Sequence, residues 1–234
     1  MKPNNVEAKQ EKSILVIGCG RMGGAIINGW LKTITEGISI YIVDPYLEKD
    51  KIGSTTLPIH TFTSSQNLPQ EHTFDIVLLA IKPQMIKDSL PEYLPLFNQD
   101  TLVISIAAGT TCSTLAELIP GVQSIVRVMP NTPAFINQGV MVASSKNAIS
   151  DSHKELCRSL FTPLGQFYWL SDEAQMDAVT AVSGSGPAYL FLFVESMIEA
   201  GIANGLPADI ARNLAMHTVA GAANMVTADS RDVS

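Results

Sequence analysis

Apolar residues in the first two thirds of the chain fall in short runs, separated by longer amphipathic stretches. The β-branched runs predict strands at 14–17, 38–43, 75–81, 102–107, 124–129, 138–144 and 166–169. The stretches between them predict helices at 22–32, 84–97, 113–118 and 151–161. The run 76–81 is apolar throughout, which is typical of a strand covered on both faces. The pattern therefore predicts an α/β fold with a doubly wound, mostly parallel sheet.

The last third of the chain has a different pattern. Ser185-Gly-Pro187 predicts the start of a helix that runs to about residue 204, and a second helix follows at 207–227. This second helix is alanine-rich and weakly polar on all sides, so we expect another subunit to cover it. The predicted organisation is a disordered polar tail at 1–12, an α/β domain at 13–171 and a helical domain at 172–234.

Composition narrows the function classes. The 234 residues include 15 basic and 22 acidic side chains, and this balance of −7 argues against nucleic acid as a partner. Cys19, Cys112 and Cys157 are far apart in the sequence, which favours a reducing compartment, and we expect the cytoplasm. The longest apolar run near the C-terminus, 188–194, is shorter than the roughly 20 residues that cross a bilayer, so we expect no membrane partner.

A glycine-rich turn follows the first predicted strand. It has the pattern GxGxxG and consists of Gly18, Cys19, Gly20, Arg21, Met22 and Gly23. Between a strand and a helix, these glycines allow a tight turn, close approach of the backbone to a pyrophosphate, and close helix–sheet packing. The start of the helix adds free N–H groups and the positive end of its dipole. The motif in this context predicts a dinucleotide site on a Rossmann fold.

The identity of the dinucleotide stays open at this point. Asp44 ends the second predicted strand, 21 residues after Gly23, where an acidic residue can hold a ribose 2′-hydroxyl and favour NADH. Alternatively, Asp44-Pro45 is only a turn, and Lys49 and Lys51 reach the 2′-phosphate of NADPH.

Four further segments carry a resemblance to a known family. They are Ala80-Ile-Lys-Pro-Gln84, Ser105-Ile-Ala-Ala-Gly109, Arg127-Val-Met-Pro-Asn-Thr-Pro-Ala134 and Ala181-Val-Ser-Gly-Ser-Gly-Pro-Ala-Tyr189. Together with the glycine-rich turn they resemble pyrroline-5-carboxylate reductase, which reduces a cyclic imine to proline with NADPH or NADH. The resemblance covers about residues 14–226 and implies a Rossmann domain followed by an all-helical dimerisation domain, incomplete in this chain.

The resemblance also implies site residues. Those expected to contact the cofactor are Ile17, Gly18, Cys19, Gly20, Arg21, Met22, Gly23, Asp44, Pro45, Asn67, Ile81, Lys82, Ala108 and Asn131. Those expected near the substrate are Ser183, Gly184 and Ser185. No catalytic side chain is assigned, because the family's Ser-Pro-Gly-Gly-Thr-Thr turn, which holds the substrate carboxylate, would come after Ser234.

Read from the residues alone, several of these positions have a simpler explanation. Lys82 can be a solvated lysine at a helix start, and Asn131, which lies between two prolines, can be a buried turn residue. Ser183 or Ser185 can be the N-cap of the following helix. The four histidines have no metal-ligand spacing, and no metal is expected.

Three functions remain as hypotheses. The first is reduction of the small-molecule substrate pyrroline-5-carboxylate by a homodimer or larger homo-oligomer, joined through the C-terminal helices. The second is a related Rossmann reductase that acts on another imine or on a deazaflavin. The third is a dinucleotide-binding scaffold without catalysis, which would fit a chain that lacks the carboxylate-binding turn.

Overall fold

The computed structural model describes residues 11–48, 50 and 52–228. The strands are β1 Lys12–Ile17, β2 Ile38–Val43, β3 Ile59–Phe62, β4 Ile76–Leu79, β5 Leu102–Ser105, β6 Ser124–Met129, β7 Gly139–Ser144 and β8 Gly165–Trp169. The α-helices are α1 Arg21–Thr33, α2 Pro83–Ser89, α3 Cys112–Leu118, α4 Asp151–Phe161, α5 Met176–Val179, α6 Gly186–Ala203 and α7 Ala208–Ala228. Of the predicted polar tail, residues 1–10 lie outside the described residues, and Lys12 already belongs to β1.

The strands form one sheet in the order β3-β2-β1-β4-β5-β6-β7-β8. The first six run parallel, β7 is antiparallel to β6, and β8 is parallel to β7. From β1 the chain adds β2 and β3 on one side, and then returns to add β4, β5 and β6 on the other side. At this switch point between β1 and β4 a crevice opens at the carboxyl ends of the two strands. The predicted doubly wound, mostly parallel sheet is confirmed.

Both faces of the sheet are buried. Ile14 and Val16 of β1 pack in a cluster with Trp30 on one face, while Leu15 and Ile17 pack in a second cluster on the other face. The side chains of neighbouring strand residues point to opposite faces, so a strand buried on both sides has to be apolar at every position. The Trp30 indole N–H donates to the carbonyl of Leu160, 2.6 Å away, which joins α1 to α4.

Two elements differ from the sequence prediction. β3, with the sequence Ile-His-Thr-Phe, was not predicted, because its four half-buried or exposed residues have a polar pair at their centre. The predicted helix 84–97 is α2 followed by a 3-10 helix, Leu90–Leu96. Pro91 and Pro95 explain this change, since proline has no N–H for the α-helical hydrogen bond.

By packing, the chain divides into two compact units, Met1–Gly184 and Ser185–Ser234. This packing division falls after residue 184, and the domain boundary expected at residue 172 stays a prediction. The physical reason is that residues just after 172 are part of the first unit: Met176 is fully buried there, and Glu173 forms an ion pair with Arg127.

The second unit contains α6 and α7, which pack closely where Gly201 faces Ala211. A Cβ added at Gly201 would lie 3.1 Å from the Ala211 Cβ. Outside this contact, large apolar side chains of α6 are exposed, with Phe191 and Leu192 each 64% accessible. Such an apolar surface predicts a partner.

The same region passes a simple test for a membrane span. Within the described residues, Glu173–Ala203 is long and apolar enough to cross a bilayer by length and composition, with a mean hydropathy of 1.2. The core helix of a soluble protein can pass this test too, so a single such helix is weak evidence for a membrane span. The absence of a membrane partner therefore stays a prediction.

Candidate functional site

The glycine-rich turn lies between β1 and α1, against the end of β4. Gly18 has a φ of 92°, and its N–H donates to the carbonyl of Val43 at 2.8 Å. A Cβ at Gly18 would lie 2.8 Å from the Ala80 carbonyl oxygen, which is closer than real contacts allow. Both the left-handed backbone and this contact require glycine.

The N-terminus of α1 is open to a ligand. Gly20 is the N-cap and has no side chain to bind the N–H groups of the first turn. No heavy atom would lie within 4 Å of a Cβ at Gly20, whereas a Cβ at Gly23 would lie 2.8 Å from the Gly18 carbonyl oxygen. Unpaired N–H groups, free space and the positive end of a 13-residue helix fit the pyrophosphate of a dinucleotide.

Asp44 supports the same turn. Its Oδ2 accepts a hydrogen bond from the N–H of Cys19 at 2.6 Å, and its Oδ1 accepts one from the N–H of Tyr46 at 2.8 Å. The carboxylate is therefore fixed between the glycine-rich turn and the loop after β2, with lone pairs left on both oxygens. Burial, together with the Asp44 charge, raises the pKa of the Cys19 thiol to about 11. This keeps Cys19 protonated, so that it acts as a small apolar side chain within the turn.

A groove with a volume of about 840 Å³ runs beside α1. Cys19, Arg21, Asp44 and Phe135 are among the residues that line it. The Arg21 guanidinium lies over the Phe135 ring, 5.5 Å from its centre. The fold thus brings the glycine-rich turn and Asp44 together, as the sequence predicted. The contact between Arg21 and Phe135 was not predicted.

A second cavity of about 190 Å³ opens where β2 and β3 end. Its lining consists of Leu47, Thr61, Phe62, Thr63 and Asn67. Of the expected cofactor contacts, Asn67 lies in this cavity and Pro45 is exposed in the loop after β2. Lys49 and Lys51, the alternative ligands of a 2′-phosphate, lie outside the described residues.

The other expected cofactor contacts follow β4 and β5. Ile81 is half-buried against the glycine-rich turn, since its Cγ2 would lie 2.7 Å from a Cβ at Gly18. Lys82 is exposed as the N-cap of α2, and Ala108 is exposed in the loop after β5. Their positions at the carboxyl ends of adjacent parallel strands agree with the crevice described above.

Asn131 makes its hydrogen bonds inside the protein. It is 7% exposed; its Nδ2 donates to the carbonyl of Ser183 at 3.0 Å, and its Oδ1 accepts from the N–H of Val140 at 2.8 Å. Of the two interpretations of Asn131, these contacts support the buried turn residue.

The segment 183–185 is built around a widened helical turn. Thr180–Gly184 is a π-helix, in which the Ser183 hydroxyl donates to the carbonyl of Val179 at 3.1 Å. Gly184 lies against Met129, whose Cε would be 2.9 Å from a Cβ at Gly184. Ser185 precedes α6 but makes no side-chain capping hydrogen bond. The Ser183 hydroxyl is thus used within its own turn, and the substrate role of this segment stays a prediction.

Sequence reasoning missed one buried charged cluster. Arg127 lies in the middle of β6, and its Nη1 is 3.5 Å from Oε1 of Glu173. The same Oε1 accepts the N–H of Cys112, the first residue of α3, at 2.9 Å. The signal was present in the sequence, because an arginine inside the apolar run Ser-Ile-Val-Arg-Val-Met needs a buried carboxylate partner.

No group of three or more His, Cys, Asp or Glu residues that could hold a metal ion is found in the part of the chain that the structure describes. His60 and His72 instead stack on Tyr41, with ring centres 4.6 and 5.6 Å away.

Comparison with known proteins identifies the family. Residues 173–234 match the model for pyrroline-5-carboxylate reductase dimerisation, and residues 13–109 match the model for NADP oxidoreductases that are coenzyme F420-dependent. Pyrroline-5-carboxylate reductase of Haemophilus influenzae is 40% identical over 93% of this chain and 79% of its own length. The chain belongs to the pyrroline-5-carboxylate reductase family.

Other relatives agree with this assignment. The enzyme of Pseudomonas aeruginosa is 36% identical over 91% of this chain and 77% of its own length. The structure of a pyrroline-5-carboxylate reductase from Coxiella burnetii has a TM-score of 0.81 at 29% identity, and covers 96% of this chain and 83% of that one. The structure of the Plasmodium falciparum enzyme, solved with NADP bound, has a TM-score of 0.75 at 30% identity, and covers 94% of this chain and 81% of that one. These members of the family confirm the resemblance seen in the sequence segments.

Proposed function

We propose that this chain reduces the cyclic imine 1-pyrroline-5-carboxylate to proline, the last step of proline biosynthesis, with NADPH or NADH as hydride donor. One structural observation carries the proposal: the glycine-rich turn leads into an α1 N-terminus that has no side-chain cap and has open space above Gly20. The family relatives, which match more than 90% of this chain, supply the substrate class.

The proposed binding roles follow from the geometry. The first turn of α1 binds the pyrophosphate, and Asp44 together with the cavity that contains Asn67 accommodates the adenosine. The residues that follow β4 and β5, Ile81 and Ala108, line the way to the nicotinamide. When bound, the cofactor supplies the hydride.

The chain's own contribution to the reaction is alignment. A protonated imine carbon is already electrophilic, so hydride transfer needs the two reactants to be held in register and water to be excluded. Alignment of bound reactants accounts for about 7–11 kcal/mol of a barrier in favourable cases. A rigid turn fixed by Asp44 and by the contact of Gly18 with Ala80 suits this task.

The test is cofactor oxidation by the purified protein with pyrroline-5-carboxylate, measured separately with NADH and NADPH. Turnover with either cofactor is expected, and Gly18→Ala should abolish cofactor binding, because its Cβ would lie 2.8 Å from the Ala80 carbonyl oxygen. Gly37→Ala is the matched control, since Gly37 also has a positive φ, of 78°, but lies away from the turn with open space around it. Cofactor binding without oxidation would favour the scaffold hypothesis instead.

A second candidate is a reductase that acts on a deazaflavin, favoured by the match of residues 13–109 to the coenzyme F420-dependent family. The two functions differ in the hydride acceptor. Oxidation of NADPH with a deazaflavin, and none with the imine, would select this candidate.

We also propose that the protein is a cytoplasmic homo-oligomer assembled through α6 and α7. The exposed apolar side chains of α6 and the match to a dimerisation family support assembly, and the free thiols of the three cysteines support a reducing compartment. Sedimentation without detergent should give a dimer or larger species. Recovery only in the membrane fraction, or a monomer at micromolar concentration, would contradict this.

A further inference from the structure

The carboxamide of Asn131 joins two segments that lie 52 positions apart in the sequence. We infer that Asn131 is a positioning residue for imine reduction: it fixes the backbone of the π-turn Thr180–Gly184 and does not bind the cofactor. The expected effect on the rate of imine reduction rests on the proposed function. The expected effect on the backbone of the π-turn rests only on the hydrogen bonds of Asn131.

The nitrogen and the oxygen of the Asn131 carboxamide each make a hydrogen bond inside the protein. The Asn131 Nδ2 donates to Ser183, the Oδ1 accepts from Val140, and the residue is 7% exposed. One of the two Nδ2 hydrogens and one of the two Oδ1 lone pairs are thus used inside the protein, and the small exposed surface leaves little of the amide to contact a nicotinamide.

The π-turn itself needs hydrogen-bond partners from other parts of the chain. A π-helix shifts hydrogen bonds from i+4 to i+5, so carbonyl groups at its end lose their usual helical partners. Here the Ser183 carbonyl receives the Asn131 amide, and the Val179 carbonyl receives the Ser183 hydroxyl. Single π-turns are rare and occur frequently at functional sites, and this one is stabilised from outside its own helix by Asn131.

The hydrogen bond between Asn131 and Ser183 lies beside a close contact between the end of β6 and the π-turn. Met129, at the end of β6, lies against Gly184 so closely that a Cβ at Gly184 would be 2.9 Å from the Met129 Cε. The resemblance gives Asn131 as an expected cofactor contact and Ser183 and Gly184 as residues expected near the substrate. A displacement of about 1 Å between reacting groups can reduce a rate on the order of 100-fold, so the contact between these segments is a control point for hydride transfer.

The requirement is specifically for asparagine, because the atom facing the Ser183 carbonyl must be a donor. An ionised aspartate has no donor and would direct a charged oxygen at that carbonyl, while its other oxygen could still accept from Val140. A protonated aspartate has the shape of asparagine and carries an O–H donor. Burial favours this neutral form. Asn131→Asp is therefore a variant whose hydrogen bond can be restored by acid.

The experiment compares Asn131→Asp, Asn131→Ala and the wild type between pH 6 and 8.5. We expect Asn131→Asp at pH 8 to lower kcat with the imine about 10- to 100-fold, with the Kd for NADPH or NADH changed less than about twofold. The ratio of Asn131→Asp to wild-type activity should rise as the pH falls, whereas the ratio for Asn131→Ala should stay constant. Using ratios removes the pH dependence that the variants share with the wild type. Asn147→Asp, the same change at an exposed position, serves as the control.

A second readout does not depend on catalysis. Hydrogen exchange in peptides covering 176–187, expressed as protection factors, should be faster in Asn131→Asp than in the wild type at pH 8 and equal at pH 6. If Asn131→Asp is unstable at pH 8, it can be purified at pH 6 and shifted to pH 8; reversible loss of protection supports the inference and unchanged protection contradicts it.

The outcomes separate the two proposals. A wild-type protein that never reduces the imine refutes the proposed function and leaves the exchange measurement to decide the role of Asn131. Weaker cofactor binding in both Asn131 variants, with an activity ratio independent of pH, would show that Asn131 is a cofactor ligand and overturn the inference.

Discussion

The ion pair between Arg127 and Glu173 gives a stability prediction with a defined size. The two side chains are 5% and 17% exposed, so Glu173→Ala leaves a guanidinium charge buried in β6 without a partner. Removing one partner of a buried pair costs about 3–5 kcal/mol. Glu173→Ala also removes the acceptor of the Cys112 N–H. A hydrogen bond to a charged group contributes about 1.5–3 kcal/mol. This contribution is not added to the cost of breaking the ion pair, because the same carboxylate makes both contacts. We expect a loss of about 3–5 kcal/mol in total.

The assay is urea unfolding followed by tryptophan fluorescence, at one protein concentration. Both tryptophans, Trp30 and Trp169, lie in the first unit, so the signal reports the unit that contains the ion pair. Glu173→Gln keeps an oxygen for the Cys112 N–H and should lose less than Glu173→Ala, which separates the charge from the hydrogen bond.

The chain offers a matched control in Glu155, which pairs with Arg158 at 3.8 Å but is 75% exposed. An exposed pair contributes about 0–1 kcal/mol, so Glu155→Ala should change stability little. If Glu173→Ala loses no more than Glu155→Ala, the reasoning that burial makes this ion pair costly to break is wrong. Replacing both partners, Arg127→Leu with Glu173→Leu, should recover most of the loss, because no unpaired charge remains.

Three further predictions use other parts of the structure. Asp44→Ser should raise the ratio of NADPH to NADH activity by about tenfold or more, because it removes a negative charge beside the proposed site of the ribose 2′-position; an unchanged ratio would show that Asp44 only supports the turn. Burial raises the pKa of the Cys19 thiol to about 11, so little of it is thiolate at pH 8. It should therefore react with a maleimide about tenfold more slowly than an ordinary thiol, and NADPH should slow it further. A normal rate would contradict this. Burial and the charge of Lys12 lower the pKa of His153, while Asp100 opposes them. The folded state then binds fewer protons than the unfolded state below about pH 6.5, so the free energy of unfolding falls with decreasing pH. Urea unfolding at pH 7.5 and 5.5 should show a smaller fall in this free energy for His153→Gln than for the wild type.

The sequence predicted the parts of the site that depend on local geometry. The glycine-rich turn and Asp44 were found because a strand, a turn and a helix follow one another within about 30 residues. β3 was missed because its pattern Ile-His-Thr-Phe shows no clear apolar face, and the cavity around Asn67 was missed with it. A short edge strand depends on its neighbour for stability, which local pattern does not reveal.

The parts that could not be predicted are long-range. Asn131 binds Ser183, and Arg127 binds Glu173, across separations of 52 and 173 − 127 = 46 positions. The residue types indicated that partners were needed, since a buried arginine or amide has to be satisfied. Which residue would be the partner depends on how the sheet and the π-turn pack, and a single sequence does not contain that information.

The hydrogen bond between the Trp30 indole and the Leu160 carbonyl has a consequence for synthesis of the chain. The partners are 130 residues apart, so α1 emerges from the ribosome long before α4 can cover Trp30. At 5–20 residues per second this wait is roughly 7–26 s. During that time the Trp30 side chain is not covered by α4. Folding of the compact unit that ends at Gly184 is therefore completed only after almost all of that unit has been synthesised. Destabilising substitutions in α4 should therefore lower the yield of folded protein during synthesis, even where the finished molecule keeps most of its free energy of unfolding. Heat during synthesis should have the same effect.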